Sequence, residues 1–164
     1  MVGLEGIGIV AALLPKAGPG AAALGAQVAA GACADGDCAN EVRQVQKLVE
    51  ELADSGAKFS PEKLVRIART AQGQIVFLEQ GTEKSGLQHI LQGHATDFAN
   101  SGVAAADVPD LVIKAVTEGK IVGYQGQGMG RPIYEVVFNG AKQLVAVTVG
   151  SNGYIVGANP ATLP

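Results

Sequence analysis

Beyond Lys120 the chain is built from four short runs of β-branched and aromatic residues, and no other feature limits the fold as much. The runs cover 120–124, 133–138, 143–149 and 154–157. Asn139-Gly140 and Asn152-Gly153 separate the later ones, and such dipeptides accept the positive φ of a tight hairpin turn. The predicted tail is therefore an antiparallel meander of four strands. Helical patterns precede it, so the expected class is α+β, with N-terminal helices packed on a four-stranded antiparallel sheet.

Apolar residues at 42, 45, 48, 49 and 52 recur at helical spacing between charged ones, which predicts an amphipathic helix over 41–53. Ser60 and Pro61 read as the cap and first turn of a second helix carrying Leu64, Val65, Ile67 and Ala68 inward. Residues 74–79 read as a short strand. A helix over 87–98 is expected, interrupted or bent near Gly93. Another starts at Asp107-Val108-Pro109 and ends at Gly119.

The first 38 residues differ in texture, for Gly and Ala fill half of them and 17–34 carries no charge. That length is near the minimum for a membrane-spanning helix, although Gly18, Pro19, Gly20, Gly25 and Gly31 weaken it. A flexible leader and a membrane-contacting segment both fit. Residues 1–57 hold three cations and seven acids, whereas 58–164 hold nine and eight. The expected division is thus a leader with one helix, 1–57, and a second part, 58–164, whose last third is locally basic. That local excess points weakly to an anionic ligand. No secretory signal is visible, because Glu5 stands where a positive region belongs. Cys33 and Cys38 could close a small loop in an oxidising compartment.

Composition excludes several functions. With 164 residues and 16% charged side chains the chain suits about one packed domain rather than a solvated tail. It lacks tryptophan, so a tryptophan-based recognition surface is impossible. The glycines at 123, 126, 128 and 130 suggest a phosphate loop, but Arg131-Pro132-Ile133 leads into a strand rather than a helix N-terminus. A mobile hairpin tip is the better reading. No residue set has zinc or magnesium spacing, and no cofactor is expected.

Both histidines fall in one segment, Gly86-Leu87-Gln88-His89-Ile90-Leu91-Gln92-Gly93-His94. On a regular helix they sit roughly 140° apart, so they cannot share a metal from one face. Separate roles in proton transfer remain open, as does a structural role for either. Lys84 lies five residues upstream and is a further candidate or a solvated loop lysine. The basic sheet adds Arg131, Tyr134, Lys142, Thr148, Ser151 and Asn152 along neighbouring strands. Imidazole, cation and hydroxyl together are what metal-free RNA cleavage needs. A base takes the 2′-hydroxyl proton, an acid protonates the leaving 5′-oxygen, and a cation steadies the phosphorane.

Three stretches carry a resemblance: Gly86-Leu87-Gln88-His89-Ile90, His94-Ala95-Thr96-Asp97-Phe98, and Val149-Gly150-Ser151-Asn152-Gly153-Tyr154-Ile155-Val156. Over 74–164 the chain resembles the CdiA-type toxin tips of contact-dependent growth inhibition proteins, in the barnase, EndoU, colicin and RelE group of ribonucleases. The stretch from His94 is similar to that around the catalytic histidine of colicin D-like tRNases. It differs in carrying Gln88 and Gln92 where lysines are usual, and it lacks the Val-Glu-Asn-Asn boundary motif.

The resemblance implies a secreted interbacterial toxin fragment, displayed on the producer surface and acting in the target cytoplasm. Its activity would be metal-independent cleavage of tRNA. His94 becomes the leading catalytic residue, with His89, Arg131, Thr148 and Lys84 beside it. Tyr134, Lys142, Ser151 and Asn152 would bind substrate. The implied partners are tRNA, a cognate immunity protein and a translation factor such as EF-Tu. Residues 1–57 would be the translocation segment at the target's inner membrane. The alternative is a non-enzymatic membrane-active or binding module, with toxicity in the leader. DNA cleavage is disfavoured by the lack of a metal-binding cluster in the tail.

Overall fold

The computed structural model describes residues 36–163, with side chains from Val42 onward. The Gly/Ala leader and the side chains of Cys33 and Cys38 lie outside the described residues. The class is α+β, as the sequence pattern indicates. Among the described residues three α-helices accompany a two-stranded and a four-stranded antiparallel sheet.

Helix α1 spans Gly36–Asp54. Its stripe of Val42, Val45, Leu48, Val49 and Leu52 is buried against Leu64, Ile67 and Phe77 of the first two strands. Each such side chain contributes roughly 1.5–3 kcal/mol when removed from water. The division drawn at residue 57 thus passes between a helix and the strands that bury it.

The helix expected from Ser60 is not found. Pro61–Lys63 forms a single 3₁₀ turn, and β1 (Leu64–Arg69) follows, paired antiparallel with β2 (Ile75–Glu79). The reason is two-sided burial. Leu64, Ile67 and Phe77 pack under α1, whereas Ala68, Val76 and Leu78 face the larger core. A strand covered on both faces loses its alternation, and a short apolar run then reads equally well as helix.

Helix α2 (Gly86–Asn100) runs unbroken through Gly93, so the interruption expected there does not occur. Helix α3 (Val108–Glu118) buries Val108, Leu111, Val112, Ile113, Ala115 and Val116. Arg66 on β1, almost fully buried, donates from Nε to Asp110 Oδ1 at 2.7 Å and so ties the small sheet to α3.

The meander is as expected. Strands β3 (Lys120–Gln125), β4 (Arg131–Phe138), β5 (Ala141–Val149) and β6 (Ile155–Pro160) pair in sequence order. Asn139 and Gly140 both take positive φ, 51° and 78°, at the β4–β5 turn. The two sheets meet where Phe77 bridges Tyr154, its N–H donating to Gly153 O at 2.9 Å. Gly153 permits this approach, because at φ 90° a Cβ there would lie 2.0 Å from Ile75 O.

Tyr134, Val136, Val145, Val147 and Ala158 join the core under α3. Strand alternation turns the intervening residues Arg131, Thr148, Gly157 and Asn159 to the opposite face. Their register brings them together. Ile133 pairs with Ala146 and Ala146 with Asn159, while Thr148 pairs with Gly157.

Candidate active site

The end of the sheet where β3 finishes and β4 begins holds an open cleft of about 870 Å³. Its walls include His94 from α2, Arg131, Tyr134 and Thr148 from the sheet, and Asn159 from β6. Four residues expected from the sequence to act together therefore line one space. The Gly126–Gly130 tip between β3 and β4 forms its rim and is exposed.

Arg131 is half-buried, and its Nη1 donates to Asn159 Oδ1 at 2.5 Å. Asn159 is fixed in turn, since its Nδ2 donates to Pro160 O at 2.8 Å. No carboxylate lies within ion-pair distance of Arg131 among the described residues. A neutral amide thus aims the guanidinium while leaving its charge uncompensated.

His89 approaches the same cation from α2. Its ring meets the open face of Gly157, beside Arg131 Nη2. His89 Nδ1 is 2.8 Å from Glu83 O. A carbonyl only accepts, so Nδ1 carries the hydrogen and Nε2 of the neutral ring is left as an acceptor. His94 has a different companion, with Nδ1 3.0 Å from Asp97 Oδ2. That carboxylate accepts, so it favours a hydrogen on Nδ1.

Burial, with the neighbouring Tyr124 phenol adding to it, raises the Tyr134 hydroxyl above its ordinary value. It therefore stays protonated and can donate at neutral pH.

The remaining candidates lie outside the cleft. Lys84 is exposed in the loop before α2, where its backbone N–H donates to Thr82 Oγ1 at 3.2 Å. Lys142 is exposed and stands 3.6 Å from Glu135 Oε2. Ser151 and Asn152 line a separate depression with Glu51 and Arg69. There Asn152 Oδ1 accepts from Tyr154 N at 3.1 Å, which shapes the turn. Among the described residues no group of three His, Cys, Asp or Glu side chains could hold a metal ion.

Sequence reasoning missed Asn159 and Gly157. A signal was present in Gly157-Ala158-Asn159-Pro160, because glycine and asparagine are both unfavourable inside a strand.

No family model matches the chain, and no curated protein matches it. No helix of the described residues is long and apolar enough to cross a membrane.

Proposed function

We propose that the chain is a toxin tip whose described part is a metal-independent ribonuclease of the barnase, EndoU, colicin and RelE type, acting on tRNA. The observation that supports it is Arg131. A half-buried guanidinium with no carboxylate partner among the described residues, set beside one imidazole and in a cleft with another, suits a phosphodiester with a neighbouring hydroxyl.

In this reading one imidazole removes the proton from a ribose 2′-hydroxyl as its oxygen bonds to phosphorus. The bond from phosphorus to the 5′-oxygen breaks, and a second acid supplies that oxygen with a proton. Arg131 balances the charge that grows on the phosphorane oxygens. The product is a 2′,3′-cyclic phosphate and a free 5′-hydroxyl. Tyr134 and Thr148 line the cleft and offer hydroxyl donors.

The biological setting belongs to the same proposal. The toxin would be secreted and displayed on the producer cell, and residues 1–57 would bring it across the target's inner membrane. A cognate immunity protein would offer acidic groups to Arg131. A translation factor such as EF-Tu would present the tRNA.

Purified protein incubated with total tRNA in EDTA tests the reading. Discrete fragments ending in 2′,3′-cyclic phosphate are expected. Cleavage that disappears in EDTA and returns with added metal would sink the mechanism, as would unaltered cutting at a 2′-deoxy position.

A further inference from the structure

Among the described residues that line the cleft none is acidic, and Arg131 supplies the only permanent charge. The protein as a whole carries a net charge of −3, so the cleft runs against the general sign. A half-buried cation held by a neutral amide favours an anionic ligand. The cleft opens at the strand ends, where both faces of the sheet are within reach. Arg131 enters it from one face, and Pro132 and Tyr134 enter from the other.

An aromatic surface adjoins that second wall. Tyr124 on β3 pairs directly with Pro132 across the ladder, so the two side chains share a face. Tyr134, two residues further along β4, returns to that face on the diagonal, within reach of an aromatic ring. The two phenols are neighbours, since Tyr124 helps to hold the Tyr134 proton. Tyr134 packs against the core, whereas Tyr124 is 41% exposed. No other ring packs on Tyr124 among the described residues. The tip that follows it in the chain carries Met129, which is 84% exposed. Exposed apolar side chains thus gather on the rim of a cleft that holds an unpaired cation.

A nucleotide meets both demands in one molecule, with an anionic phosphate and a flat base separated by a sugar. We propose that the surface made by Tyr124 and Pro132 is a base-stacking subsite, taking the nucleobase next to the phosphate that Arg131 holds. This assignment rests on the ribonuclease reading, under which the base flanks the scissile bond. Stacking needs only a π-face, so every base is accepted.

Adenosine 3′-monophosphate and inorganic phosphate, titrated separately into the isotope-labelled full chain, test the subsite by NMR without reference to cleavage. The nucleotide should bind about tenfold or more tightly than phosphate, with shifts at the Tyr124 ring that phosphate does not cause. Tyr124→Ala should erase that advantage and Tyr124→Phe should keep it, both near the parental melting temperature. Equal affinity of the parent for the two probes overturns the subsite. So does a Tyr124→Ala protein that still prefers the nucleotide. Should Tyr124→Ala melt early, the two parental affinities and the Tyr124 ring shifts decide by the same criterion.

A parallel assay on tRNA separates the two readings. Tyr124→Ala should raise KM by about tenfold, and Tyr124→Phe should restore it. If the parent prefers the nucleotide through Tyr124 but leaves tRNA intact, the ribonuclease reading falls and the subsite stands. If the parent cuts tRNA and Tyr124→Ala keeps the parental KM, the subsite falls and the ribonuclease reading stands.

Discussion

His89 donates its Nδ1 hydrogen to the Glu83 carbonyl at 2.8 Å, so a backbone atom in the loop before α2 sets the tautomer of a ring that faces Arg131. Histidine nitrogens have distinct tasks once one of them is committed. The loop bearing Glu83 thereby bears on the proposed chemistry without offering a side chain to it.

The two histidines should separate kinetically. His94→Ala and His89→Ala should each lower RNA cleavage by roughly 10²–10⁴-fold, the range of a proton-transfer residue. A substrate with sulfur in place of the leaving 5′-oxygen needs no acid, because a thiolate departs unaided. It should restore His94→Ala and leave His89→Ala slow. Restoration of His89→Ala instead would exchange the two roles.

Asn159→Asp should neutralise Arg131 from the side that the amide now occupies. The carboxylate still accepts from Nη1, but it loses the donation to Pro160 O, so the fold should be kept with a lowered melting temperature. Cleavage should fall by about tenfold or more, because charge held for a phosphate is spent within the protein. Parental turnover in this variant would show that Arg131 acts without a free charge.

Truncation should show what α1 gives the fold. Removing residues 1–57 strips the cover from Leu64, Ile67 and Phe77. Five buried side chains at roughly 1.5–3 kcal/mol each rival the ~5–15 kcal/mol stability of a whole domain. The shorter protein should lose its cooperative melt by circular dichroism. A normal melt would mean that α1 is dispensable to the fold.

The Glu79 carboxyl on β2 gives a pH signature. Burial pushes it above its ordinary value, against the opposing pull of the Ser60 N–H and of Lys63. The folded protein therefore binds this proton more tightly than the unfolded chain does. Stability from Glu79 is present in acid and declines as pH rises from the ordinary carboxylate value through the raised one. Glu79→Gln should remove the decline, matching the parent in acid and exceeding it above that window. Urea melts across pH test this, and parallel curves would contradict it.

What the sequence made legible follows from how locally each element is encoded. The stripe of α1 and the Asn139-Gly140 turn depend on neighbours in the chain, so periodicity and turn chemistry suffice. Strand β1 depends on being covered from both sides, by α1 and by the main core, which no local window contains. The site divides the same way. His94, Arg131, Tyr134 and Thr148 stand out by residue type. Gly157 matters for lacking a side chain, and Asn159 for aiming a residue on another strand. Lys142, Ser151 and Asn152 share the basic tail with Arg131, but strand register carries them away from the cleft.

The Phe77–Tyr154 bridge joins segments far apart in sequence, whereas each pairing within the meander joins adjacent strands. Closing a long loop costs more chain entropy than closing a hairpin, so distant pairings are slow to form. We expect the meander to assemble early in folding and the small sheet to dock on it late. Pulse-labelling hydrogen exchange should then protect the β4–β5 amides before the Phe77 amide, and the reverse order would refute this. Because His89 follows the small sheet in the chain and meets Gly157 on β6, the approach of its ring to Arg131 would be completed only at that final docking. The newly made protein would thus pass through its early folding stages without a working site.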